Sequence, residues 1–173
     1  MSRPPGEFDL IARYFSHSGR SDGLVLGIGD DCALIDGGPA RSWAVTTDML
    51  VEGVHFLTEV DPESLGHKAL AVNLSDLAAC GAQPRCFFLA LALPRADEAW
   101  LASFTRGMFA LADRHGCKLV GGDTTRSLAG VTIAITALGE VPRGSALLRS
   151  GAAAGDDLWV SGTLGDGALG LAS

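Results

Sequence analysis

Between Asp61 and Pro94 the sequence spells out a helix followed directly by a strand, and that pair narrows the fold more than any other feature. Asp61-Pro62 provides a side-chain cap and a proline at the first helical position, so an apolar helix is predicted over Glu63 to Cys80. Gly81 just past its end and Pro84 beyond stop it. Cys86 to Leu93 is then a continuous apolar run of strand length, ended by Pro94.

The rest of the chain extends the same alternation. Phe8, Ile11, Ala12 and Phe15 recur at helical spacing within Glu7 to Phe15, and a polar, glycine-containing break follows from Ser16 to Gly23. Strands are expected over Leu24 to Ile28, Cys32 to Ile35 and Ser42 to Thr47, with a turn at Asp36-Gly37-Gly38-Pro39. A second amphipathic helix is predicted over Asp97 to His115, with Trp100, Phe104, Met108 and Leu111 on one side. Cys117 to Val120 reads as a short strand that ends in Gly121-Gly122-Asp123-Thr124-Thr125-Arg126, and Val131 to Leu138 as another. A new strand is expected at Asp157 to Val160, and Gly162 to Ser173 reads as the first turns of a further helix. The order predicts an α/β (α+β) domain, a mixed sheet packed against helices, with a second α/β domain just begun.

Composition removes several function classes. A chain of 173 residues buries roughly 70% of the surface its unfolded form exposes, so folding needs no disulfide or metal staple. The net charge is −7 and the basic residues do not cluster, which argues against nucleic acid as a partner. No apolar run reaches membrane-spanning length, and no signal peptide is visible behind Arg3, so a cytoplasmic location is expected. Cys32, Cys80, Cys86 and Cys117 form no C-x-x-C pair and read as small buried thiols. There is no Gly-x-Ser-x-Gly nucleophile and no P-loop; Gly165 to Gly170 fits G-x-G-x-x-G but lacks the βαβ unit that would make it a dinucleotide site.

The aspartates carry the chemistry. Asp30 and Asp31 follow a strand and two glycines, Asp48 ends a Thr46-Thr47 strand, Asp76 lies inside an apolar helix, and Asp123 follows Gly121-Gly122. Taken singly, Asp30, Asp31 and Asp123 are accounted for as turn formers and Asp48 as a cap. Asp76 resists that account: it shares a helix side with Leu65, Ala69, Val72 and Asn73, where a bare charge is costly, so an ion or cationic partner is called for. Carboxylates converging from several elements suit Mg²⁺, which takes oxygen ligands. The glycines before Asp123 let a backbone approach an anion, and Arg126 offers a planar fork of donors.

Gly6 to Phe15, Gly27-Ile28-Gly29-Asp30-Asp31-Cys32-Ala33, Thr46-Thr47-Asp48, Gly53-Val54-His55-Phe56, Lys68 to Ala79 and Gly121 to Arg126 occur in this order. Together they resemble the thiamine-monophosphate kinase family, within the superfamily of aminoimidazole ribonucleotide synthetase. The resemblance implies γ-phosphoryl transfer from ATP, as co-substrate, to thiamine monophosphate. It further implies several Mg²⁺ ions held directly or through water by Asp31, Thr46, Thr47, Asp48, Asp76 and Asp123. Gly122, Asp123 and Arg149 would touch the nucleotide and His55 the thiamine substrate, with no catalytic nucleophile or base.

Family members are homodimers that pair through strands of the N-terminal domain, and they run to roughly twice this length. Residues 1–148 are therefore expected to be an ATP- and Mg²⁺-binding, dimerising domain, and residues 149–173 the beginning of a C-terminal domain. On this view the chain is a fragment, inactive alone, with an apolar surface left around Leu158, Val160 and Leu169. Two rival readings remain: another ATP-dependent synthetase of the superfamily, and a non-catalytic nucleotide-binding and dimerisation module.

Overall fold

A computed structural model of the chain describes residues 6–15 and 22–166. Local hydrogen bonding defines its two long helices. Asp61 accepts from the Ser64 N–H at 2.8 Å and the Ser64 hydroxyl at 2.7 Å, which opens α2 (Pro62–Ala79). The helix ends where Gly81 turns left-handed (φ +71°), so that its N–H reaches the Ala78 carbonyl and the Ala82 N–H the Leu77 carbonyl. Asp97 caps α3 (Glu98–Arg114) in the same manner, through the Trp100 N–H at 3.0 Å.

Six strands form one sheet: β1 (Leu24–Leu26), β2 (Ala33–Asp36), β3 (Arg41–Val51), β4 (Gln83–Leu93), β5 (Lys118–Arg126) and β6 (Thr132–Pro142). They lie in the order β1-β2-β3-β6-β4-β5, antiparallel except for the parallel β4–β5 pair. The sheet is therefore mixed, as expected. Ile133, Ile135, Ala137 and Val141 of β6 and Phe87 of β4 are buried, and α2 packs over this central part of the sheet. On the opposite face, Met49 and Phe88 stay exposed.

α3 stacks on α2 rather than on the sheet. The two helices touch backbone to backbone. A Cβ on Gly66 would stand 1.9 Å from the Phe104 carbonyl oxygen, and one on Gly107 would stand 1.9 Å from that of Glu63. Beside this crossing Trp100 stacks on Phe104, centroids 5.0 Å apart.

Four expectations are corrected. The helix over Glu7 to Phe15 is a short α-helical turn, α1 (Glu7–Leu10), followed by a π-helical one, Ile11–Phe15, and Phe8, Tyr14 and Phe15 are exposed, so no apolar stripe is packed to hold a longer helix. β3 does not stop at Thr47; it runs to Val51 because β6 pairs with it along its whole length. The strand expected over Cys117 to Val120 does not stop there; Gly121 to Arg126 continues it as the second half of β5, paired with Phe88 to Leu93. Asp157 to Val160 forms no strand, since none of the described strands pairs with it, and Leu158 and Trp159 are almost fully exposed. Residues 16–21 of the polar break and 167–173 of the expected last helix, Leu169 included, lie outside the described residues. No helix among those described is long and apolar enough to cross a membrane.

Candidate functional site

β2 begins opposite Val45, so beyond that point β3 has no strand neighbour on that side. Thr46, Thr47 and Asp48 sit on this open edge, and a cavity of about 710 Å³ lies against it. The Gly27 to Asp31 turn walls one side, α2 contributes Asp76, and Arg149 closes over from the start of a 3₁₀ turn (Arg149–Gly151). Of the residues singled out from sequence, Asp31, Thr46, Thr47, Asp48, Asp76 and Arg149 are thus brought together, from four separate parts of the chain.

Strand periodicity divides the β3 residues. Thr46 is buried and Asp48 half-buried on the face toward α2, whereas Thr47 is exposed and its hydroxyl shares a 2.8 Å hydrogen bond with Thr136, its cross-strand partner. Thr46 Oγ1 donates to Asp76 Oδ2 at 2.6 Å. That hydroxyl answers part of the question Asp76 poses in an apolar helix. One turn earlier, Asn73 is fully buried; its Nδ2 donates to the Ala69 carbonyl, and its Oδ1 has no partner among the described residues.

The electrostatics are those of a site short of positive charge. Burial pushes the Asp48 carboxyl above its ordinary range, the charge of Asp76 pushes it further, and His55 pulls the other way. Asp31 is paired with the Arg149 guanidinium, through Nε at 3.1 Å and more closely through the terminal nitrogen. Asp30 takes a different part: its carboxylate accepts from the Asp31 N–H at 2.9 Å and from the Arg149 N–H at 3.1 Å, so it shapes the turn and seats the arginine. Sequence reading passed over that seating role, which spans 119 residues and leaves no local signal.

The donor set of carboxylates and hydroxyls fits a hard cation such as Mg²⁺, and the unbalanced Asp48–Asp76 pair gives a reason for one to bind. The donors do not form a closed cage: among the described residues no three His, Cys, Asp or Glu side chains are gathered to hold a metal. An ion here would complete its shell with water and phosphate oxygens.

Three singled-out residues lie apart from the cavity. Asp48 pairs with Ile135, Ile135 with Leu89, and Leu89 with Gly122, which places Asp48 and Gly122 three strand spacings apart, roughly 14 Å of sheet. Asp123, next to Gly122 on the exposed edge strand, can serve only an ion separate from one at Asp48 and Asp76 within a single chain. Gly122 is required by packing: a Cβ there would stand 1.9 Å from the Leu89 carbonyl oxygen. His55 sits on the turn after β3, exposed, within electrostatic reach of Asp48. Lys68, which carries no assignment in the sequence reading, donates to the His55 carbonyl at 2.6 Å.

The family model described as AIR synthase related protein, N-terminal domain, matches residues 29–141. The thiamine-monophosphate kinase of Escherichia coli strain K12 is 54% identical over 169 residues, covering 96% of this chain and 51% of that protein. Among solved structures, the thiamine-monophosphate kinase of Stenotrophomonas maltophilia K279a is 51% identical with a TM-score of 0.74. AaThiL complexed with AMPPCP and TMP is 36% identical with a TM-score of 0.83. Each of these two matches covers 96% of this chain and 52% of the other. The chain spans about half the length of the curated relatives it matches.

Proposed function

The chain belongs to the AIR synthase related family through its N-terminal domain, and on that basis we propose that the protein transfers the γ-phosphoryl group of ATP to thiamine monophosphate, giving thiamine diphosphate and ADP. The observation that carries this reading is the cavity at the open edge of β3, where Asp48 and Asp76 oppose like charges beside Arg149. Its support is the name shared by the relatives and the nucleotide analogue and TMP bound by AaThiL.

The chemistry asks little of the side chains. A phosphate monoester, with a second pKa of about 6, is already largely ionised at neutral pH, so the acceptor oxygen needs no general base. What it needs is placement beside a second polyanion. Mg²⁺ bound to Asp31, Asp48, Asp76 and the Thr46-Thr47 edge, with a separate ion at Asp123, would supply the positive charge that lets the two phosphates approach. Arg149 and the backbone at Gly122 would hold the nucleotide, and His55 the thiamine substrate. The hydrogen bond from Thr46 holds the half-buried Asp76 carboxylate in place, without the cost of reorganising it at each turnover.

We further propose that two copies pair through the uncovered sheet face that carries Met49 and Phe88, that residues from 149 on open a second domain, and that the protein works in the cytoplasm. Assay of the full-length protein with ATP, Mg²⁺ and thiamine monophosphate tests the activity: thiamine diphosphate is expected, and its absence with Mg·ATP binding intact would mean a different acceptor. Asp48→Asn and Asp123→Asn are each expected to abolish Mg²⁺-dependent nucleotide binding, and wild-type affinity in either would sink the metal assignment.

A further inference from the structure

Among the described residues, His55 is held at every polar atom but one, its ring Nε2. Its backbone N–H donates to the Val51 carbonyl at 2.9 Å, its own carbonyl accepts from Lys68 Nζ at 2.6 Å, and its ring Nδ1 accepts from the Val51 N–H at 3.0 Å. The surrounding turn is closed by bonds from the Val54 N–H to the Val51 carbonyl and from the Gly53 N–H to the Phe56 carbonyl. A ring nitrogen that accepts a hydrogen bond carries no proton, so the neutral imidazole has its proton on Nε2. Lys68 stands on α2, whose other side is buried against the sheet, and its ammonium fastens the turn to that fixed support. A carbonyl bonded by a charged donor is a strong anchor for an exposed loop.

We infer that Lys68 is a positioning residue, and that with the Val51 N–H it presents His55 to its ligand as a single Nε2–H donor. On the proposed function, the ligand atom is then a hydrogen-bond acceptor of thiamine monophosphate, a phosphate oxygen or an aminopyrimidine ring nitrogen, and not the thiazolium ring, since an N–H donor repels a cation. Only the identity of that acceptor rests on the proposed function; the tautomer and the clamp stand on the hydrogen bonds alone.

Long-range proton–nitrogen correlation spectra of the chain above neutral pH read the tautomer directly. His55 is expected to show a protonated Nε2 and a bare Nδ1, Lys68→Met to average the two forms, and Lys68→Arg to restore the wild-type pattern. A proton on Nδ1 in the wild type, or a Lys68→Met spectrum identical to it, overturns the inference. In the full-length protein, Lys68→Met is expected to raise the KM for thiamine monophosphate roughly tenfold while kcat and the KM for ATP stay within about twofold. An equal rise for both substrates, or a fall in kcat alone, overturns the positioning role. A wild-type protein that makes no thiamine diphosphate defeats the proposed function instead, and the spectra still decide the clamp.

Discussion

Thr46 Oγ1 and Asp76 Oδ2 lie 2.6 Å apart, and their hydrogen bond ties the open edge of β3 to the last turn of α2. The bond fixes one carboxylate of the cavity relative to the strand that carries another.

Thr46→Val keeps the shape of the side chain and removes the donor. It is expected to destabilise the chain by about 1 kcal/mol, read from the denaturant midpoint. Added to Asp76→Ala it should cost much less, because the bond is already gone. Full additivity of the two would show that the hydroxyl and the carboxylate act independently.

The crossing of α2 and α3 leaves no room for a side chain. Gly66→Ala and Gly107→Ala each drive a methyl group into a carbonyl of the facing helix, from 1.9 Å, and each is expected to cost about 3 kcal/mol or more. Urea denaturation measures both; an unchanged midpoint in either would mean that the helices stand farther apart.

Asp61 links stability to pH with a definite sign. The Ser64 hydroxyl and then the Ser64 N–H hold its carboxyl below the ordinary value of 3.8. A lowered folded pKa contributes stability that is present above the unfolded value and lost as pH falls through the folded one. The thermal midpoint of Asp61→Ala should therefore lie below that of the wild type at neutral pH, with the gap closing as pH drops below about 4. A gap independent of pH would remove the charge from the account and leave only the cap's geometry.

Arg149 and a metal ion compete for Asp31. With Arg149→Ala the carboxylate is released, so the chain is expected to bind Mg²⁺ more tightly in calorimetry without nucleotide, by several-fold. The same variant should bind ATP more weakly if the guanidinium holds a phosphate. Mg²⁺ affinity equal to wild type would place the ion away from Asp31.

The two long helices were legible because their ends are local: Asp61 reaches Ser64 three residues on, and Gly81 closes the last turn on carbonyls just behind it. The apolar run of β4 is legible for a similar reason, since Pro94 stops it directly after Leu93. The strand's continuation through Gly121 to Arg126 is not legible in the sequence, because its extended form depends on Phe88 to Leu93, a partner some thirty residues earlier that local composition does not name. Asp157 to Val160 shows the reverse, a strand-like composition without a described neighbour to bond.

The candidate site divides along the same line. From the sequence alone came the aspartates, the anomaly of Asp76 in an apolar helix, and the family. Only the tertiary structure decided that Arg149 sits on Asp31 across 118 residues, that Thr47 turns away from Thr46 and Asp48, and that Asp123 lies three strands from them. Helix caps and turns are settled by hydrogen bonds between residues a few places apart, which the order of residues specifies. Which carboxylates share a cavity is settled by strand order and register, and these arise from burying one face of the central strands under α2.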